Sequence, residues 1–180
     1  MIRGGRTNPP QTEVKPARAP DLIEPLLGYR YWRIAADGSL RCLISNERWA
    51  PGANRAHCWR RGHEAPGRLC TCGFNALHDL PGANRRMTHR NTVLGAIAAW
   101  GDTEVHGTGF RAQFACVVAL AEGGVTRPAS HRRLLMAAKR YGLELVPIPD
   151  LAAAAGLHAR PLEVSARHGR PARPHRAGPT

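Results

Sequence analysis

The chain has 180 residues, enough for one domain of ordinary size with some length left for tails. Its 26 basic residues against 13 acidic ones give a formal net charge of +13, and only Lys15 and Lys139 are lysines. No stretch approaches the roughly 20 apolar residues that span a bilayer, and the first twenty residues carry no apolar segment of the secretory kind, so a cytoplasmic protein is expected.

Residues 1–20, rich in Pro, Arg and Thr, read as a disordered basic leader. A single metal-stapled domain is expected over 21–160, followed by a disordered Arg-, Pro- and His-rich tail over 161–180. "PDLIEPLLG" offers a helix from Asp21 that Pro25 and Gly28 limit to about one turn. "YRYWRIAADGSLRCLIS" predicts a hairpin. Tyr29, Tyr31 and Arg33 alternate with Arg30, Trp32 and Ile34; the chain turns at Asp37-Gly38; Leu40, Cys42 and Ile44 then share a face.

From Trp49 to Arg90 regular apolar periodicity is missing. So long a structureless stretch needs an organiser other than a hydrophobic core. "PGANR" occurs at 51–55 and again at 81–85, and both copies read as turns. "TVLGAIAAWG" predicts a strand, with a buried helix over 93–100 as the alternative, because Leu94, Ile97 and Ala98 also fit the helical period. A second strand, "FRAQFACVVALA", should pair with it antiparallel through "GDTEVHGTG". "PASHRRLLMAAKRYG" is an amphipathic helix: Ser130 as N-cap, Leu134, Leu135, Ala138 and Tyr141 as apolar stripe, Gly142 just past the end. "LELVPI" suits a short strand, and Asp150 an N-cap for a last short helix in "LAAAAG". Trp32, Trp49 and Trp100 are assigned to the core. The expected fold is α+β, a small mostly antiparallel sheet with a metal-organised loop and a C-terminal amphipathic helix; a mostly-β fold is the nearest competitor.

The chemistry concentrates in "CWRRGHEAPGRLCTCG", residues 58–73. Cys58, His63, Cys70 and Cys72 follow the spacing C-x4-H-x6-C-x-C, and three cysteines with one histidine are a standard tetrahedral zinc set. Pro66 and Gly67 make the reversal that returns the second half of the loop, and Gly73 permits a turn that aims N–H groups at the sulfurs. Alternatives stay open: a [2Fe–2S] cluster on the same ligands, free thiols, or a disulfide to Cys42. His57 or His78 could replace His63. A catalytic zinc keeps a position open for water beside a general base. Here four donors close the sphere, and Glu64 is the sole carboxylate in the cluster, so a metal-dependent hydrolase or deaminase is the lesser reading and the enzyme question leans to no.

The charge invites a nucleic-acid or acidic-surface partner. Much of it gathers at the ends, at Arg3, Arg6, Lys15 and Arg18 and at Arg160, Arg167, Arg170, Arg173 and Arg176, where compositional bias and solvated tails are the plainer explanation. Around the cluster, Trp59, Arg60, Arg61, Arg68, Arg85, Arg86 and Arg90 combine guanidinium groups with an aromatic, as zinc knuckles do. Arg132, Arg133, Lys139 and Arg140 form a basic stripe on the expected helix that could lie along phosphates or simply face solvent.

Taken together, "GYRYWRI", "LRC", "HEAP" followed by "CTCG", "AWG", "HGTGFRAQFA" and "RYGLELV" resemble a family of small uncharacterised proteins common in actinobacteria. The resemblance spans about residues 28 to 148 and is most specific in the C…HEAP…C-x-C-G core. It implies an ordered, soluble cytoplasmic protein and names no reaction. Phe74-Asn75-Ala76 and "LPGANRRMTHRN" depart from the family pattern, and neither departure touches the four candidate ligands. The expected function is a zinc-stabilised binding module that contacts nucleic acid or another acidic partner through an arginine-rich surface, with a [2Fe–2S] redox sensor as the alternative.

Overall fold

Two long strands carry the sheet. In the computed structural model, which describes residues 17–18, 24–80, 91–123 and 128–158, β6 (Thr92–His106) and β7 (Gly109–Glu122) form an antiparallel hairpin. The segment expected to link them mostly belongs to β6, so only Gly107 and Thr108 turn. The 93–100 ambiguity resolves as strand because both faces are covered: Val93, Ile97 and Ala99 enter one core, and Leu94, Ala96 and Ala98 the other. A strand buried on both sides loses its polar alternation and reads as a continuous apolar run. Register slips between Trp100 and Thr103, where Gly101 takes a φ of 78°. Such a bulge bends the hairpin.

β2 (Leu26–Ile34) pairs with the free side of β6, from Leu26↔Ala99 to Arg33↔Thr92, so Pro25 and Gly28 lead into and lie within a strand rather than limiting a helix; residues 21–23 lie outside the described ones. β3 (Leu40–Cys42) completes the expected hairpin with Trp32↔Cys42 and Ile34↔Leu40 opposed. Its turn is fastened by Asp37, whose Oδ1 accepts from the Ser39 N–H at 3.0 Å and the Ser39 hydroxyl at 2.7 Å. The strand stops at Cys42, so Ile44 does not join the Leu40 face and stands 98% exposed in the following turn. β1 (Ala17–Arg18), placed in the leader by sequence, pairs with Val105 and Glu104 of β6; the rest of 1–20 and all of 161–180 lie outside the described residues.

The other edge of β7 receives two short strands end to end, β4 (Asn54–Arg55) against Ala115 and Phe114, and β5 (Phe74–Leu77) against Ala112 to Gly109. β5 also meets β2 through Tyr29↔Leu77, so β2, β6, β7 and β5 make a closed circuit of pairings. Gly28 lies inside that closure: a Cβ there would stand 2.6 Å from the Phe110 ring and 2.7 Å from the Ala76 methyl.

α1 (Pro128–Tyr141) covers one face with Leu134 and Ala137, against Trp32, Trp49, Phe74 and Phe110. Ser130 sits inside its first turn, where its hydroxyl donates to Asn91 Oδ1 at 2.8 Å, so it is not the N-cap. Leu135 is half exposed; the buried stripe runs through Ser130, Leu134, Ala137 and Ala138. Gly142 ends the helix at φ 65°, with Leu143 N–H donating to the Ala138 carbonyl at 2.9 Å, the left-handed closure that favours glycine. β8 (Leu145–Pro147) joins β7 in parallel, and a 3-10 turn (Ile148–Asp150) feeds α2 (Leu151–His158), which covers the opposite face with Leu151 and Ala155. The fold is thus α+β, mostly antiparallel. Trp32 and Trp49 are core residues as expected, while Trp100 is half-buried and stacks on Phe114 at 6.0 Å.

Candidate metal centre

The cysteine loop is anchored at both ends on one edge of β7. Arg55 pairs with Phe114, Ala56 N–H donates to the Gln113 carbonyl at 2.8 Å, and Phe74 pairs with Ala112. Residues 57–73 therefore leave and rejoin the sheet at adjacent points. The loop is not without apolar anchors: Ala56, Ala65 and Phe74 are buried in the main core beside Trp49, which contacts Phe74 at 4.6 Å and Trp32 at 5.3 Å. These isolated plugs have no period, which is why the sequence shows no core there. The first PGANR copy turns at Gly52, φ 78°, before β4, and the second lies outside the described residues.

Cys58, His63, Cys70 and Cys72 each bring one donor atom to a group whose members all lie within 4.8 Å of one another, and this group could hold a metal ion. Cys58 Sγ stands 3.7 Å from Cys70 Sγ, and Cys72 Sγ 3.9 Å from His63 Nε2. In a tetrahedron with bonds of about 2.3 Å to sulfur, the edges are about 3.8 Å. His63 Nδ1 is 2.7 Å from the Glu64 carbonyl, to which it donates in the tautomer that leaves Nε2 for the cluster, the usual way a ligand histidine is oriented. That contact, with Cys70 beside the ring, raises the His63 pKa. Gly67 lies flat against the imidazole, with no room there for a Cβ, and its N–H donates to Cys72 Sγ at 3.3 Å. The Cys72 N–H and the His63 ring draw the Cys70 thiol down to about 6, whereas burial pushes Cys72 up to about 11.

A second layer comes from residues that sequence reasoning missed. Arg111 on β7 donates from Nη1 to the carbonyls of Cys70 and Cys72, the latter at 3.3 Å, and its Nη2 forms an ion pair with Glu104 on β6. Glu104 and Arg111 are opposed cross-strand neighbours. The hairpin thereby holds the C-x-C segment by its backbone. Arg30 on β2 is the other omission: its guanidinium lies over Trp49 at 5.1 Å, donates to Asn75 O at 2.7 Å and reaches Cys42 Sγ at 3.2 Å. Cys42 is a free thiol, not a disulfide partner; burial alone would raise its pKa, but Ser45 and Arg30 outweigh that and lower it.

The remaining expected site residues separate. Trp59, Arg60, Arg61 and Arg68 are exposed on the cysteine loop, and the Arg60 guanidinium lies 4.7 Å from the Trp59 ring centre. Arg132, Arg133, Lys139 and Arg140 are on α1, where Arg140 faces Asp37 at 3.8 Å. Arg85, Arg86 and Arg90 lie outside the described residues. His57 is bridged through its backbone to Glu64, and His78 Nε2 is 2.9 Å from the His106 carbonyl, so neither belongs to the donor group. The Glu64 carboxylate is tied to Arg55 at 2.7 Å. Among the described residues no helix is long and apolar enough to cross a membrane.

Comparison with protein-family models, with curated proteins and with solved structures gives no match to this chain. The resemblance noted above rests on its quoted motifs alone.

Proposed function

We propose that the protein is a zinc-stapled binding module in which Cys58, His63, Cys70 and Cys72 close one tetrahedral site and hold an arginine-rich loop in shape for an acidic partner, nucleic acid foremost. The observation that carries this reading is the packing of all four donor atoms within 4.8 Å. A single ion suits that spacing; the terminal ligands of a two-iron cluster spread further, because two metal centres lie between them. A structural role agrees with a sphere filled by four donors and with Glu64 engaged by Arg55 rather than turned to the cluster. Trp59, Arg60, Arg61 and Arg68 then form the contact surface, with the stripe on α1 as a further basic surface.

Binding of the purified, zinc-loaded protein to heparin and to mixed-sequence oligonucleotides over a salt series tests the partner class. Affinity should fall steeply with salt, as counterion release requires. Absence of binding to any polyanion at low salt overturns it.

A further inference from the structure

A cleft of about 880 Å³ runs between the cysteine loop and the turn after β3, floored by β5. Its size falls within the range of about 300–1,000 Å³ usual for ligand clefts. Cys58, Cys70 and Cys72 form part of one wall. Two strongly exposed apolar side chains belong to its lining, Trp59 at 76% exposure and Ile44 at 98%. Arg60 lines it with an exposed guanidinium, whereas Arg30 and Arg111, also in the lining, are engaged by Asn75 and Cys42 and by Glu104; Glu47 is the one carboxylate among the described lining residues. A zinc with three thiolates adds one negative charge to that wall, which Arg60 and Arg61 on the same loop offset.

We propose that the rim of this cleft binds single-stranded nucleic acid, with a base stacked on Trp59 while the exposed guanidinium groups of Arg60 and its neighbour Arg61 meet the phosphates. The inference rests on the acidic-partner reading above and narrows it. An exposed indole gains nothing from a phosphate, and a duplex keeps its base faces stacked out of reach. An unpaired nucleotide offers both a flat π face and a charge, the two things this cleft is built to meet. Arg60 over Trp59 completes the pattern, because a guanidinium stacked on one face of the indole leaves the other for a base.

The test measures binding of the zinc-loaded full chain to a mixed-sequence single-stranded RNA, to the duplex of the same sequence and to polyglutamate, with Trp fluorescence and anisotropy as readouts. The single strand should bind most tightly and quench fluorescence. Trp59→Ala should weaken it about 5- to 150-fold, and Ile44→Asp, at the other exposed apolar lining residue, should weaken it as well. Both side chains are exposed, so both variants should keep zinc and fold. Leu69→Ala is the control: Leu69 is 89% exposed on the same loop but does not line the cleft, and its loss should change nothing. If no polyanion binds, the broader reading fails and this inference with it. Polyanion binding with duplex or polyglutamate held as tightly as the single strand would leave the broader reading intact and overturn this one. So would unchanged single-strand affinity in both Trp59→Ala and Ile44→Asp.

Discussion

Replacing Arg111 with methionine removes the guanidinium that ties the cysteine loop to the β6–β7 hairpin. The Arg111 and Glu104 side chains are 12% and 10% exposed, so the substitution leaves a largely buried carboxylate facing the more distant His106 ring, at 4.0 Å, instead of its guanidinium. Breaking a buried pair from one side costs about 3–5 kcal/mol. The Cys70 and Cys72 carbonyls lose a donor at the same time, but they belong to half-buried residues that water can reach, so no large further cost is added. Glu104→Gln is the informative partner: it leaves the Arg111 charge without its counter-ion but keeps an oxygen acceptor and both carbonyl bonds, so its cost should fall at or below the lower end of that range, about 3 kcal/mol. Urea denaturation of the zinc-loaded variants, followed by Trp fluorescence, measures both. Chelator competition should show zinc affinity reduced about 10- to 100-fold in Arg111→Met and little changed in Glu104→Gln. Equal destabilisation in the two variants with unchanged zinc affinity would refute the reasoning, because Arg111 would then serve Glu104 and not the loop.

Gly67→Ala places a methyl group against the His63 imidazole; zinc affinity should drop at least about tenfold in the same competition assay while the core stays folded, and unchanged affinity would exclude the assigned position of His63. Tyr141→Phe deletes a hydroxyl that donates to Trp49 O at 2.7 Å and accepts from Leu40 N–H at 3.0 Å, so thermal or urea unfolding should register a loss of about 1–3 kcal/mol. Asp37 titrates at about 2 rather than the ordinary 3.8, held down by the Ser39 hydroxyl and N–H and further by Arg48 and Arg140. A lowered pKa in the folded state means stabilisation that is complete above the ordinary value and is lost as pH falls towards 2. The Tm gap between wild type and Asp37→Asn should therefore be largest near neutrality and shrink on acidification; a gap that widens in acid contradicts this.

How much of this was legible in the sequence depended on range. The β2–β3 hairpin was readable because alternation and Asp37-Gly38 are local signals, and the donor group because its residue types and spacing are unusual. The limits were physical. A four-residue strand such as Phe74–Leu77 carries too short a period to recognise, and its pairing with Tyr29 lies 48 positions away. Burial on both faces hid the strand character of residues 93–100. The Glu104–Arg111 pair follows from a two-residue turn at Gly107-Thr108, which the glycines on either side of Thr108 and the polar residues before them disguise as a longer link. Ile44 shows the converse: the alternation of residue types runs on past Cys42, where the strand stops.

Metal content of the protein as isolated, read by elemental analysis alongside its visible spectrum, tests the central claim most directly. A zinc staple at Cys58, His63, Cys70 and Cys72 requires one zinc per chain and a colourless solution, with zinc absent from Cys58→Ser. Metal-free protein that keeps the loop structured, or a brown protein carrying two irons per chain, would contradict it.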